Sequence, residues 1–284
     1  MWPTLLSIGP IAIHSFGVLV FLGIFFGGFV WWQKGREESF DEELLMDIYL
    51  SSLVSSLFLG RVWYVVINWS FFTGSVYRML FLTKFPGLSF EGVLVGGLLG
   101  LVVFSLKKSF DIWKVLELSV YSLLIIEALA FVGSFLSGSN LGSKTSLFFG
   151  VPFPGVSGRR YPVQLIYVVC FWGLYKLLKF FEKEYRGFSW YSSLKGEARP
   201  GFLIASYLIG IGLIHAVLGF ISESSNLKFS LTLVFVGVLI LFLRSGINLK
   251  RENKKSLDKI KNPLQIKEIR RVSKKRKKKG FDFK

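Results

Sequence analysis

Five ionisable side chains stand within or at the ends of long apolar stretches of the chain: His14, Arg61, Glu91, Glu127 and His215. A charge in the hydrocarbon of a bilayer costs on the order of 3 kcal/mol or more, so such residues usually pair, line a wet cavity or form a site. We therefore predict that Arg61 pairs with Glu91 or Glu127, and that the five residues mark where chemistry takes place. A buried ion pair that only fixes helix packing is the alternative for any one of them.

Several classes of enzyme are excluded because the sequence lacks their motifs. It contains no phosphate-binding loop, no Gly-x-Ser-x-Gly and no His-Glu-x-x-His. The single cysteine, Cys170, excludes an intramolecular disulfide and a cysteine-based metal cluster. Isolated histidines on apolar faces are more often packed side chains than metal ligands. We expect no metal and no other cofactor.

The elements that must position these residues are long apolar helices. Hydrophobic residues make up 52% of the 284 residues, and stretches long enough to cross a bilayer, about 20 residues each, recur along the chain. We predict an all-α integral membrane protein whose residues 1–245 form seven transmembrane helices. The predicted spans are residues 11–32, 44–67, 88–106, 113–136, 162–181, 201–222 and 229–243.

Basic residues set the predicted orientation and define a tail. They concentrate in the first, third and fifth connections and after residue 246, so the positive-inside rule places the N-terminus outside and the C-terminus in the cytoplasm. Residues 246–284 are predicted to be a disordered basic tail that is attracted to an anionic membrane surface. No aromatic residue interleaves the basic run at 274–279, so we expect no specific nucleic-acid partner.

The connections on the predicted outer side are long and irregular. Residues 68–87 are rich in aromatic side chains and are predicted to form an amphipathic segment on the outer leaflet. Residues 137–161 are rich in serine, glycine and proline. The next span opens with Glu91, and Gly92, Gly96 and Gly100 recur every four residues, which predicts a helix face that a neighbouring helix approaches closely. We expect a site that opens outward between the spans.

Five short motifs, in this order along the chain, resemble those of the prolipoprotein diacylglyceryl transferase family, whose members are seven-span enzymes of the bacterial inner membrane. Residues 7–14 with Gly17 are similar to the family's Ile-Gly-Pro…His…Tyr-Gly, and residues 60–64 to its Gly-Gly-Arg-x-x-Tyr. Residues 87–92 are similar to Gly-(Gly/Leu)-Ser-(Phe/Ile)-His-Gly, 133–138 to Gly-Asn-Phe-x-Asn-Gly, and 160–165 to Arg-His-Pro-x-Gln-Leu. The resemblance covers about residues 5–245.

The resemblance implies transfer of a diacylglyceryl group from phosphatidylglycerol to the lipobox cysteine of a prolipoprotein, with glycerol phosphate leaving. Such a reaction needs donors for the phosphate and a group that assists thiol deprotonation. The catalytic residues expected by resemblance are Glu91, His215 and His14, and those expected at the lipid phosphate are Arg61, Arg160, Gln164, Ser134 and Ser137. The implied partners are phosphatidylglycerol and the prolipoprotein signal peptide, and the implied location is the bacterial cytoplasmic (inner) membrane.

The chain departs from the family's pattern at most of its polar site positions. The family's histidine in span three is Glu91 here, and its arginine in span six is His215. The other replaced positions are Phe16, Phe131, Ser134, Ser137, Ser139, Tyr161 and Gly219. Three hypotheses follow: a diverged transferase, a catalytically silent relative that binds phospholipid or a membrane partner, and an unrelated polytopic protein such as a transporter.

Overall fold

A computed structural model of the chain describes residues 2–8, 11–81, 84–184, 200–223 and 226–245. A two-stranded hairpin comes first, with β1 at Thr4–Ile8 and β2 at Ile11–His14. The first four helices are α1 (Ser15–Glu37), α2 (Glu42–Ile67), α3 (Trp69–Phe72) and α4 (Val76–Leu80). The next elements are α5 (Phe90–Lys107), α6 (Ile112–Ser137), β3 (Val151–Pro152) and β4 (Arg159–Arg160). The last are α7 (Val163–Glu184), α8 (Phe202–Leu218) and α9 (Leu227–Arg244).

Six of these helices, α1, α2, α5, α6, α7 and α9, are long and apolar enough to cross a membrane. The seventh, α8, is apolar but has only 17 residues. Residues 1–183 and 200–241 form one compact unit, which carries all the described candidate site residues. Of a second unit, only residue 184 and residues 242–245 are described, and the predicted basic tail at 246–284 lies outside the described residues.

Two predicted spans have the wrong bounds. Residues 11–14, predicted to start the first span, form β2 and pair antiparallel with β1. The helix begins only at Ser15, whose backbone N–H donates to the carbonyl of Pro3 and whose hydroxyl donates to that of Trp2. The sixth span was predicted to reach residue 222, but α8 ends at Leu218. The chain leaves the helix there because Ser222 pairs with Gly142 of a distant connection.

The glycine face of α5 packs directly on α2, as its spacing predicted. A Cβ added at Gly96 would lie 2.7 Å from the carbonyl oxygen of Ser55, and one at Gly100 would lie 2.9 Å from the Cα of Ser52. The Ser55 hydroxyl also donates to the carbonyl of Gly96 at 2.9 Å. Only a hydrogen atom fits at these positions, so the glycines fix the distance between the two backbones.

Consecutive long helices run antiparallel, so the unit has two distinct ends. One end holds the β1–β2 hairpin and the connections at residues 68–81, 84–89, 138–162 and 219–223, and we call it the loop end. The other end holds ion pairs between neighbouring helices, such as Lys34–Glu182 at 2.9 Å and Lys108–Asp47 at 3.3 Å, and we call it the ion-pair end. At the ion-pair end the Glu117 carboxylate also accepts hydrogen bonds from the backbone N–H groups of Gly201 and Leu203, at the start of α8.

Candidate functional site

The ring of His215 lies at the loop end, where α5, α6, α7 and α8 converge. Its centroid is 4.9 Å from that of Phe90, which stacks on it, and 4.8 Å from that of Tyr167. Phe131 and Phe171 follow at 6.1 and 6.2 Å. We call these four aromatic residues with the imidazole the His215 cage. The sequence placed His215 in the middle of a span, but the early end of α8 puts it in the last helical turn.

Glu91 is the second residue of α5 and stands beside the cage. Its carboxylate accepts a hydrogen bond from the hydroxyl of Ser89, the residue before the helix. A negative charge in the first turn of a helix is favoured by the positive end of the helix dipole. Phe90, the residue that precedes Glu91, stacks on the imidazole of His215. The structure therefore places the two residues that the sequence proposed for proton transfer at the same end of the unit, where His215 packs on the chain neighbour of Glu91.

Arg61 does not pair with either carboxylate, so the predicted pairing with Glu91 or Glu127 is wrong. Its guanidinium donates to the carbonyls of Met79 and Arg78, each at 2.8 Å, and to that of Gly87 at 2.9 Å. Phe72 and Tyr64 contribute their ring faces, with centroids 5.1 and 5.8 Å from the guanidinium carbon. The connection between α2 and α5 folds back over the arginine and satisfies it with backbone oxygens. Arg61 thus holds that connection in place.

A cluster of hydroxyl and amide groups lies at the end of α6. Gly138 takes a left-handed conformation, φ +72°, which turns the chain back onto the helix. The hydroxyl of Ser139 then lies 2.9 Å from those of Ser134 and Ser137, and the Gln164 amide donates to the Ser139 carbonyl at 2.6 Å. Three residues predicted to contact the lipid phosphate, Ser134, Ser137 and Gln164, are thus joined through Ser139. The serine cluster consists of Ser134, Ser137 and Ser139, with Asn140 donating to Ser134.

Arg160 ties two connections of the loop end together. It donates to the carbonyl of Gly142 at 3.0 Å and forms an ion pair with Glu223, which follows α8. Backbone hydrogen bonds from Ser143 to Ile221 and from Tyr161 to Ser143 join the same segments. The Nε of Arg160 is buried and has no partner, so one donor of the guanidinium remains for a ligand.

The remaining predicted residues lie apart from the cage. Glu127 is buried near the middle of α6 and accepts a hydrogen bond from the Tyr207 hydroxyl at 2.7 Å. Its position confirms that span four carries a carboxylate at depth, but its partner is a phenol and not Arg61. His14 ends β2 with an exposed side chain that makes no hydrogen bond or ring contact with any other described residue. The structure does not bring His14 into the cluster around His215.

Five buried side-chain atoms among the described residues have no hydrogen-bond partner. They are Ser122 Oγ, Glu127 Oε2, Arg160 Nε, Gln164 Oε1 and His215 Nε2. Leaving such a group unsatisfied costs about 1–3 kcal/mol each. Three of the five belong to residues that the sequence had selected as site candidates at the loop end. No group of three His, Cys, Asp or Glu side chains placed to hold a metal ion occurs among the described residues.

A family model described as prolipoprotein diacylglyceryl transferase matches residues 3–248. The chain belongs to that family. Together with the six apolar helices, membership confirms the predicted location as a multi-pass protein of the bacterial cytoplasmic membrane.

Three similar proteins carry the name phosphatidylglycerol–prolipoprotein diacylglyceryl transferase. The protein of Shouchella clausii is 27% identical over 143 residues, which is 50% of this chain and 51% of that protein. That of Caldanaerobacter subterraneus is 26% identical over 179 residues, 63% and 65% of the two chains. That of Clostridioides difficile is 25% identical over 174 residues, 61% and 69%. The chain spans about half the length of the first of these relatives.

The departures from the prolipoprotein diacylglyceryl transferase pattern lie close together in space. Glu91, Phe131 and His215, which stand where the resemblance expects histidine, arginine and arginine, all belong to or border the His215 cage. Where the resemblance implies three basic side chains, this chain has one carboxylate, one phenyl ring and one imidazole.

Sequence reasoning missed several members of this site. Tyr167 could have been found, because it stands three residues after Gln164 on the same face of α7. Phe90 precedes Glu91 and was not considered as a partner of His215. Glu223 gave no signal, because its pairing with Arg160 depends on a contact between two connections that are far apart in sequence.

Proposed function

We propose that the chain is a diacylglyceryl transferase of lipoprotein biosynthesis, with a phospholipid as donor and the lipobox cysteine of a prolipoprotein as acceptor. Phosphatidylglycerol is the donor that the names of the relatives give. In the proposed step the thiolate sulfur bonds to the terminal glycerol carbon of the lipid. The bond from that carbon to the phosphate oxygen breaks, and its electron pair leaves with glycerol phosphate.

Each side chain of the site has a proposed role. Glu91 accepts the thiol proton, because a carboxylate that forms no ion pair with a described residue can act as a general base. His215 carries that proton onward to the leaving phosphate. Arg160 Nε and the serine cluster donate to the phosphate oxygens, and Gln164 accepts from the headgroup. We assign Arg61 to the connection that covers the site, and His14 has no assigned role.

The observation that carries this proposal is the convergence of Glu91, His215, Gln164 and Ser134 at one end of a chain that belongs to the transferase family. They come from four different helices, and two of their polar atoms, Gln164 Oε1 and His215 Nε2, have no partner among the described residues. Polar atoms that stay unsatisfied after folding are suited to a ligand that completes their hydrogen bonds.

We further propose that α8 is a seventh span, with the N-terminus outside and the C-terminus in the cytoplasm. Antiparallel packing of α8 on α9 supports this, since a Cβ at Gly212 would meet Ser230 and one at Gly237 would meet Ala205. The loop end then faces outward and the site opens to the outer leaflet. Residues 246–284 would follow on the cytoplasmic side as a separate basic tail that binds an anionic membrane surface.

The test is complementation followed by transfer with purified protein. A host depleted of its own transferase should regain lipid-modified lipoprotein when it expresses the chain. Glu91→Gln, which keeps the shape and removes the charge, should lower the rate of thioether formation at least 100-fold. The matched control is Glu43→Gln, an exposed glutamate at the ion-pair end, which should leave the rate unchanged. Absence of lipid modification at normal expression would overturn the proposal.

A second candidate is a catalytically silent relative that binds phospholipid or a membrane partner on the same fold. One observation favours it: the only buried arginines among the described residues, Arg61 and Arg160, are engaged by backbone carbonyls and by Glu223. A site with few free cations stabilises the charge of a leaving phosphate poorly. Lipid binding without any thioether product in the transfer assay would select this candidate.

A further inference from the structure

We propose that the connection between α2 and α5 inserts into the leaflet that the loop end faces and gathers anionic phospholipid at the opening of the site. The inference rests on the proposed function and deepens it, because it states how an anionic donor reaches the loop end. It is carried by exposed apolar and basic side chains that lie outside the long helices. We call them the interfacial patch, which consists of Trp69, Val76, Tyr77, Arg78, Leu80 and Lys84.

The helix α4 is apolar, yet none of its residues is buried against the rest of the described chain. Val76 is 68% exposed, Leu80 71% and Tyr77 44%, and Trp69 of α3 is 56% exposed. A helix of five residues has little stability of its own in water. Neighbouring apolar side chains that remain exposed after folding mark a surface that binds an apolar partner. A lipid leaflet would bury all four.

Contacts with α2 set the level at which the connection lies. Arg61 precedes the last residue of α2 by six positions, about 9 Å along the helix axis. Its guanidinium donates to the carbonyls of Arg78 and Met79 in α4. Phe72 of α3 is buried, and its ring centroid lies 6.0 Å from that of Tyr64 in the last turn of α2. These contacts hold α3 and α4 beside the end of an apolar span, which is the level where tryptophan and tyrosine are enriched in membrane proteins.

The charge of the interfacial patch favours an anionic surface. No aspartate or glutamate occurs at residues 48–90, whereas Arg78 and Lys84 are both exposed. The Arg78 guanidinium carbon lies 5.8 Å from the ring centroid of Phe71, and Lys84 Nζ lies 5.6 Å from that of Tyr77. Each cation is therefore held on an aromatic face next to the apolar side chains. Basic residues at the membrane surface attract anionic headgroups, so lipid that meets the patch is enriched in anionic species.

The connection that carries the patch leads directly into the candidate site. The backbone N–H of Ser89 donates to the carbonyl of Gly60 at 3.1 Å, and α5 begins with Phe90, which stacks on His215. Lipid gathered at the patch is thus adjacent to the site. Gathering a substrate without contacting its reacting atoms lowers KM and leaves kcat unchanged, because it favours the ground state and the transition state equally.

The first experiment measures the depth of the patch in the full chain. A spin label is attached to Leu80→Cys in a Cys170→Ser background, and the protein is placed in bilayers of phosphatidylcholine and phosphatidylglycerol. Collision with oxygen, which concentrates in hydrocarbon, is compared with collision with a water-soluble nickel complex. We expect the Leu80 label at the edge of the hydrocarbon and a label on Ser157→Cys, an exposed serine of another connection at the loop end, in water. A Leu80 label in water would overturn the inference.

The second experiment counts bound lipid by native mass spectrometry after release from bilayers that contain equimolar phosphatidylglycerol and phosphatidylcholine. We expect phosphatidylglycerol to be retained about fivefold more, and Arg78→Gln combined with Lys84→Gln to lower this ratio about threefold. Lys144→Gln combined with Lys228→Gln removes the same charge from exposed positions of the loop end outside the patch, and should leave the ratio unchanged. No loss in the first double variant, or equal losses in both, would overturn the inference.

Transfer kinetics in the same bilayers separate this inference from the proposed function. The Arg78→Gln and Lys84→Gln double variant should raise the KM for phosphatidylglycerol about threefold and leave kcat unchanged. A rise in the KM for the lipobox peptide instead would assign the patch to the acceptor and overturn the inference. Charge-dependent lipid retention without transfer would keep the inference and overturn the proposed function. Transfer with unchanged lipid retention and unchanged KM would do the reverse.

Discussion

The loop end and the ion-pair end of the helical unit treat their polar side chains differently. At the ion-pair end Glu182 accepts from both Lys34 and the Tyr121 hydroxyl, each at 2.9 Å. At the loop end the side chains of Gln164 and His215 each keep a buried atom without a partner. Completed polar contacts stabilise the fold, whereas incomplete ones cost about 1–3 kcal/mol and persist where a ligand completes them. The ion-pair end therefore stabilises the fold, and the loop end is suited to binding a ligand.

The largest expected effect comes from the α2–α5 contact, on which both ends depend. Gly96→Ala should lower the free energy of unfolding by about 3 kcal/mol, because its Cβ would lie 2.7 Å from the Ser55 carbonyl oxygen and 3.0 Å from the Ser56 backbone. Gly97→Ala is the matched control, since its Cβ would meet only the Ser56 side chain at 3.6 Å. Thermal unfolding in detergent measures both. Equal melting temperatures for the two variants would show that the packing is looser than described.

Arg61→Lys should loosen the loop end alone, by about 2 kcal/mol. A lysine cannot donate to three carbonyls from one rigid plane, so the contacts with Met79, Arg78 and Gly87 cannot all be kept. Hydrogen exchange of residues 68–89 should accelerate at least tenfold, with α6 unchanged. Arg78→Lys, at an exposed arginine of the same connection, serves as the control. Unaltered exchange in Arg61→Lys would contradict the role assigned to that residue.

Glu182→Gln should weaken the contacts of the ion-pair end and leave lipid binding at the loop end unchanged. The substitution leaves one acceptor oxygen where the carboxylate has two, so only one of the hydrogen bonds from Lys34 and the Tyr121 hydroxyl can be kept, and it removes the charge facing Lys34. The ion pair is partly exposed, with side chains 21% and 32% accessible. We therefore expect a loss of about 1 kcal/mol in the free energy of unfolding. Lipid retention should not change. A variant that binds lipid less well, but unfolds at the same temperature, would reverse the division between the two ends.

The sequence predicted the apolar helices better than it predicted which side chains contact one another. The spacing of Gly92, Gly96 and Gly100 indicated a close helix contact, but nothing local identified α2 as the neighbour. Opposite charges at membrane depth suggested a carboxylate partner for Arg61. Its actual partners are backbone carbonyls, which the sequence cannot identify because every residue has one. The predicted position of His215 in the middle of a span was wrong for a similar reason. The end of α8 is set by pairing of Ser222 with Gly142, a contact across 80 residues of chain.

Gln164→Met should have the smallest effect on stability, and it tests most directly whether the loop end binds a ligand. Gln164→Met keeps the volume of a fully buried side chain and loses the hydrogen bond to the Ser139 carbonyl, but it also removes the unpaired Oε1. The two terms oppose each other, so the free energy of unfolding should change by less than about 1 kcal/mol. Lipid retention should fall at least fivefold, since the acceptor for the headgroup is gone. Asn226→Leu, at an exposed amide that starts α9, is the control for losing an amide at the same end. A Gln164→Met protein with a lower melting temperature and normal lipid retention would show that Gln164 stabilises the fold and does not contact a ligand.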